Sequence, residues 1–287
     1  MKTIRGNNGK KLIRFGHSPD ADDAFMFYAI AKGKIDTGDF YLEHVVEDIE
    51  SLNRRALRGE LEVTAISLHA YAYASDRYAI LTSGASIGFN YGPLIVTRDS
   101  LLAPERLSGK RIAVPGEMTT AFLLLKLFEP QIRYVTVPFD RVFETVEKGE
   151  ADAGLVIHEG QLTYGEARFR KVLDLGEWWY RETKLPLPLG LDAVRKDLGP
   201  VAAECLGRIL KDSIRYALDH RQDAIRYALP FGRGIDPATA DRFVGMYVNE
   251  RTLELGEEDK RAIGALLRMA HEKQIIPRAV VPDFIEV

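Results

Sequence analysis

The stretch Asp152-Ala153-Gly154-Leu155-Val156-Ile157-His158-Glu159-Gly160-Gln161-Leu162-Thr163-Tyr164 decides how this chain is read. Ala153 to His158 is short and apolar and ends on a polar pair. That pattern predicts a buried β-strand that delivers His158 and Glu159 at its carboxyl edge. In an open α/β sheet the ligand crevice lies just outside the carboxyl ends of the strands. Imidazole titrates near neutrality, which suits proton transfer, so His158 is the candidate general base. On these local features a structural histidine, capping the next helix or bonding a carbonyl, is the alternative.

Upstream, the same kind of strand recurs at Leu12 to His17, Tyr41 to Val46, Val63 to Ser67, Ala79 to Ser83, Pro93 to Arg98, Arg111 to Pro115 and Arg133 to Pro138. Helical patterns separate them at Asp22 to Lys32, Asp48 to Arg58, Thr120 to Phe128 and Phe139 to Lys148. The alternation predicts βαβ units and a parallel sheet. From Pro200 onward helical spacing dominates. Two extended, proline-bearing segments, Gly92 to Arg98 and Leu185 to Gly190, read as crossings between lobes. They divide the chain into one discontinuous lobe, residues 1–95 plus 190–287, and a second, 96–189, carrying His158, Thr119 and Thr120.

A length of 287 residues allows about two domains. With 46% hydrophobic and 28% charged residues the chain can bury a core, and a net charge of −3 gives no field that would draw nucleic acid. The N-terminal stretch lacks an apolar signal region, and no apolar run approaches a membrane span, so a cytoplasmic protein is expected. The single cysteine, Cys205, excludes an intrachain disulfide and falls in an apolar helical stripe, where a core position is expected. No Walker or Rossmann glycine pattern, CxxC or GxSxG is present, so nucleotide, nicotinamide and serine-esterase chemistry have no support and no cofactor is expected.

Two strand-to-helix junctions carry hydroxyls: Ala65-Ile66-Ser67, and Gly116 through Thr119 and Thr120. Helix N-termini present free amides and the positive end of the dipole, so facing junctions of this type suit a carboxylate. Read alone, Ser67 and Thr119 are N-caps. The segment His17-Ser18-Pro19-Asp20-Ala21-Asp22-Asp23 gathers three carboxylates and an imidazole that a divalent metal could use. Acidic residues are also what a first helical turn prefers, and no metal is expected.

Taken together, the ordered set Ser18-Pro19, Asp23, Ser67 to Tyr71, Gly92-Pro93-Leu94, Val114-Pro115-Gly116, Thr119-Thr120-Ala121, Ile157-His158-Glu159, Thr163-Tyr164, Leu185 to Gly190 and Tyr247-Val248-Asn249 resembles the 1,4-dihydroxy-6-naphthoate synthases of the futalosine route to menaquinone. The resemblance implies an α/β, two-lobed fold like that of the periplasmic binding proteins (type II), with the ligand cleft between the lobes. It implies lyase chemistry on cyclic dehypoxanthine futalosine, a small anionic aromatic substrate, with no redox cofactor, nucleic acid or membrane involved. His158 matches the proton acceptor, and Ala65, Ile66, Ser67, Thr119 and Thr120 match substrate-contacting positions, with Ser18 and Asp23 beside them. Chorismate dehydratase of the same pathway and a non-catalytic solute-binding protein are the alternatives. Where the family reads Ser-Pro-Cys-Pro-Asn-Asp-Thr-Phe, this chain has Ser18-Pro19-Asp20-Ala21-Asp22-Asp23-Ala24-Phe25, which adds Asp20 and Asp22 beside the cleft.

Overall fold

Short apolar strands and amphipathic helices assemble two mixed sheets, one per lobe, in a computed structural model that describes residues 9–287. The N-terminal reading begins outside that range. The first sheet holds β1 (Lys11–His17), β2 (Phe40–Val46), β3 (Val63–Ser67), β4 (Tyr78–Leu81), β5 (Ser86–Gly88), β11 (Leu187–Arg195) and β12 (Phe284–Ile285), in the order β12-β4-β11-β3-β1-β2 with β5 on β11. The second holds β6 (Leu94–Thr97), β7 (Arg111–Val114), β8 (Arg133–Thr136), β9 (Ala153–Val156) and β10 (Arg170–Asp174), in the order β10-β6-β9-β7-β8.

Where a parallel sheet was expected, both sheets are mixed. β1 pairs parallel with β2 and β3, and β7 with β8 and β9, but β11 runs antiparallel to β3, β4 and β5, and β6 antiparallel to β9 and β10. The reason is the route of the chain. A parallel neighbour requires a crossover helix, whereas β6 and β11 enter their sheets directly from the other lobe. The expected boundaries, 95/96 and 189/190, fall inside these two strands. Pro188 is tolerated within β11 because there it faces only the three-residue β5, with a register shift between Pro188 and Gly190.

The helix Ala21–Ala31 carries apolar residues all round and is buried from Ala21 through Ala29. It packs between the first sheet and the helices Pro200–Asp219, Arg221–Ala228 and Pro237–Tyr247, sharing a core with Phe15, Phe27, Leu206, Leu210 and Phe243. Fully burying a side chain of this size is worth about 1.5–3 kcal/mol, so truncating Phe27 to alanine would cost about 3–5 kcal/mol. The rigid start of this helix fixes one wall of the cleft. Cys205 is only half-buried, on the rim of that core. No helix among the described residues is long and apolar enough to cross a membrane.

Candidate active site in the interlobe cleft

The cleft, about 720 Å³ counting the space open to solvent, is lined from both lobes. On the first-lobe side β1 ends at His17, and the chain turns through Ser18 and Pro19 into the helix that begins at Ala21. Asp20 is its N-cap, accepting from the Asp23 amide at 3.2 Å through Oδ1. Its other oxygen, Oδ2, lies 2.9 Å from Nδ1 of His158, which comes from the second lobe.

His158 stands two residues past β9 with φ +55°, in the left-handed region that a β-carbon disfavours. This turn, rather than the strand itself, aims the imidazole. Nδ1 donates to Asp20, which leaves Nε2 as the acceptor nitrogen. Nε2 is buried, has no hydrogen-bond partner among the described residues, and belongs to a residue lining the cleft.

Charge in the acidic segment is sorted by position. Burial opposes ionisation of Asp20, yet the hydrogen bond from His158 and, when the ring is protonated, its charge hold the carboxyl well below the usual range. Asp22 and Asp23 go the other way, pushed well above the usual range by burial and then by the Asp20 charge. The surroundings thus favour the charged form of Asp20 and the neutral form of Asp22 and Asp23 relative to an ordinary carboxyl. Ligand atoms of the three acids lie within 4.8 Å of one another. Asp20 is already committed to His158 and to the Asp23 amide, and Asp23 Oδ2 accepts from the Ser18 amide at 2.6 Å.

A second wall is built from β3 and the helix Thr120–Phe128. Strand alternation turns Ala65 and Ser67 to the cleft and sends Ile66, fully buried, into the core with Leu191 and Ala193, so the expected Ile66 contact is not made by its side chain. Ser67 is not a side-chain cap. Its hydroxyl accepts from Asn53 Nδ2 at 3.0 Å and its amide donates to Asn53 Oδ1 at 2.8 Å, leaving the hydroxyl proton free. The two threonine hydroxyls are differently placed. Thr119 Oγ1 donates to the Gly116 carbonyl (2.9 Å) and accepts from the Phe122 amide (3.1 Å), while Thr120 Oγ1 donates to the Leu189 carbonyl (2.6 Å). Both protons are spent inside the protein. What the helix offers the cleft is its first amides, Thr120 and Ala121, which have no intrahelical acceptor.

Residues 13–272 match the model of a family described as menaquinone biosynthesis. A 1,4-dihydroxy-6-naphtoate synthase of Thermus thermophilus is 40% identical over 275 residues, 96% of this chain and 100% of that protein. This chain belongs to the menaquinone-biosynthesis family. The synthase of the same name from Streptomyces coelicolor is 37% identical over 94% of this chain and 96% of its own length. An Archaeoglobus fulgidus crystal structure superposes with TM-score 0.89 at 50% identity, covering 92% of this chain and 98% of that one. The alkanesulfonate-binding protein of Xanthomonas axonopodis, at 14% identity, superposes with TM-score 0.74 over 96% and 98% of the two chains, and so shares the fold. The architecture is the two-lobed periplasmic-binding-protein fold with its cleft between the lobes.

In this family member the lobes are also tied by Glu159 and Tyr247, which the sequence had brought forward, and by Arg233, Gln161 and Glu50, which it had not. Glu159, next to His158, reaches across the cleft: Oε1 accepts from the Ala21 amide at 3.2 Å and Oε2 pairs with Arg233. Arg233 also donates to the Pro19 carbonyl (3.0 Å) and lies 4.2 Å from the centre of the Phe139 ring, which itself packs edge-on against His158. Tyr247 donates to Gln161 across the cleft at 2.8 Å. On the far edge Glu50 accepts from the Met118 amide at 2.9 Å, and a β-carbon on Gly116 would lie 2.4 Å from its carboxylate. A side chain at position 116 would therefore collide with Glu50. Asp192 of β11, beside Ala65, completes the lining.

Proposed function

We propose that this protein is a lyase that converts cyclic dehypoxanthine futalosine to 1,4-dihydroxy-6-naphthoate, with His158 as general base. One observation carries the reading: His158, a residue lining the cleft, has its Nδ1 fixed by a buried carboxylate and its Nε2 buried without a hydrogen-bond partner among the described residues. The names of the Thermus and Streptomyces relatives supply the reaction, and the wall of Ser67 with the Thr120 and Ala121 amides supplies a place for an aromatic carboxylate.

In this mechanism the substrate carboxylate accepts from the Ser67 hydroxyl and the helix amides, which holds the fused ring in register. Nε2 takes the proton that the substrate must lose before its bond breaks. Asp20 stabilises the imidazolium that results and hands back the correct tautomer afterwards. The interlobe ties exclude water while the charge develops.

Pure protein incubated separately with cyclic dehypoxanthine futalosine and with chorismate, followed by mass spectrometry, tests this reading. Release of 1,4-dihydroxy-6-naphthoate from the first and no change in the second is expected. Loss of water from chorismate, or no turnover of either compound, would sink it.

A further inference from the structure

The cleft contains polar atoms that neither the base nor the carboxylate wall uses. Ser18 Oγ, Asp22 Oδ1 and Asp192 Oδ1 belong to residues lining it and have no hydrogen-bond partner among the described residues. These residues are 3%, 6% and 1% exposed. They arrive from two separate elements, the β1–helix junction and β11. A buried polar atom left unpaired is expensive, and native proteins tolerate few, so three on residues lining one cleft point to a ligand that satisfies them.

The donor and acceptor inventory identifies that ligand. Burial pushes the carboxyls of Asp22 and Asp192 well above their usual range, and for Asp22 the neighbouring acids add to it. Burial thus favours the carboxylic acid form of each, which donates one hydrogen bond and accepts another, as the Ser18 hydroxyl does. Alcohol groups match this set because they also donate and accept. An anion would meet the Asp20 carboxylate, and an ammonium has no acceptor for the acids' protons. Tyr247 adds no competing group, since its hydroxyl is committed to Gln161.

Position agrees with chemistry. Asp192 pairs with Ala65 on β3, while Ser67 pairs with Gly190, which has no side chain to obstruct it. The two rungs are two residues apart, about 7 Å along a strand. We propose that Ser18, Asp22 and Asp192 form a hydroxyl-binding pole of the cleft that takes an uncharged, polyhydroxylated group, two rungs along the strands from the carboxylate held at Ser67. This proposal rests on the cleft being the substrate site, and it assigns the sugar-derived part of the ligand to these three residues.

The test has two arms. In the first, His158→Ala protein, which binds without turnover, is titrated with cyclic dehypoxanthine futalosine and with the sugar-free 1,4-dihydroxy-6-naphthoate. Asp192→Leu added to it is expected to weaken the first ligand by about 10- to 100-fold and leave the second unchanged. Asp192→Asn, which keeps a donor and an acceptor, should retain most of the affinity, and Ser18→Ala should lose about 10-fold. In the second arm ribitol and ethanolamine are added to the otherwise unmutated protein and its Asp192 variants in thermal melts. Ribitol should raise the melting temperature of wild type and Asp192→Asn but not of Asp192→Leu. Equal weakening of both aromatic ligands, no effect of Asp192→Leu and Ser18→Ala on either, or stabilisation by ethanolamine but not ribitol would overturn the proposal. If neither aromatic ligand binds, the reaction proposed above falls, and the ribitol arm alone decides the hydroxyl pole.

Discussion

His158 Nδ1 and Asp20 Oδ2, 2.9 Å apart, belong to different lobes, so the pair forms only when the cleft is closed. Closure and orientation of the imidazole are therefore one event. His158→Ala should lower kcat by about 100- to 10,000-fold while the protein stays folded. Asp20→Asn should also lower kcat with little change in KM, because it removes the charge facing the imidazolium. Asparagine remains a good N-cap, so the helix start is preserved and a stability loss does not confuse the result. The pH–rate profile separates positioning from bystander: Asp20→Asn should move its limb, and an unmoved profile with normal kcat would assign Asp20 to capping alone.

The backbone at His158 gives an independent check. With φ +55°, any residue carrying a β-carbon is strained there by about 1 kcal/mol. His158→Gly and His158→Ala both lack the imidazole and leave Asp20 equally unpaired, so their difference isolates the turn. Denaturant titration should find the glycine variant the more stable by about 1 kcal/mol. The opposite order would mean that the turn carries no strain.

Much of this was legible in the amino-acid sequence where the signal is local. β3 occupies Val63–Ser67 and a helix Thr120–Phe128, as the apolar runs and the hydroxyl before the helix indicate. Pairing direction was not legible, because β6 and β11 look like any short apolar strand and only the path between lobes makes them antiparallel. Asn53 and Asp192 left a faint trace, a lone polar residue in an apolar stripe (Leu52-Asn53 with Ala56) and in an apolar strand (Leu191-Asp192-Ala193). Arg233, between two glycines, left none; its role depends on Glu159, which is 74 residues away. Which way a threonine hydroxyl points was equally hidden, since Thr120 spends its proton on Leu189.

The carboxyls of the cleft make opposite contributions to the pH dependence of stability. Asp20 is depressed in the folded state, so its contribution is present above the ordinary carboxyl range near pH 4 and is lost as pH falls through its folded value. Asp192 is raised by burial, so the stability of its neutral form is complete below about pH 4 and is lost as pH rises toward its folded value. Asparagine at 192 does not titrate. Melting temperatures of Asp192→Asn and wild type should coincide most closely in acid and diverge in favour of the variant as pH rises through that window; a constant gap would mean that Asp192 is ionised throughout.

The Glu159–Arg233 tie should be asymmetric to mutation. Arg233→Met keeps an apolar stem against Phe139 but leaves a buried carboxylate without its cation, at a cost of about 2 kcal/mol. Adding Glu159→Gln removes the stranded charge and still accepts from the Ala21 amide, so the double variant should recover most of that loss. A double-mutant cycle by chemical denaturation measures the coupling. Strict additivity would mean that the two side chains do not interact in solution.

The carboxylate wall yields a prediction that separates hydroxyl from amide recognition. Thr119→Val removes a helix cap and should cost on the order of 1 kcal/mol of stability. Thr120→Val removes the bond to the Leu189 carbonyl and should cost a similar amount. Neither proton faces the cleft, so affinity for an aromatic carboxylate in the folded protein should hold, because the Thr120 and Ala121 amides remain. Ser67 is the opposite case: Asn53 occupies its acceptor side and leaves its proton for the ligand. Ser67→Ala should weaken binding of 1,4-dihydroxy-6-naphthoate by about 10-fold or more, as expected for a hydrogen bond to a charged group. Melting temperatures read against dissociation constants for the three variants decide the matter. A loss of affinity in Thr119→Val or Thr120→Val comparable to that in Ser67→Ala would mean that the threonine hydroxyls turn toward the ligand when it binds, and that the amides alone do not make the site.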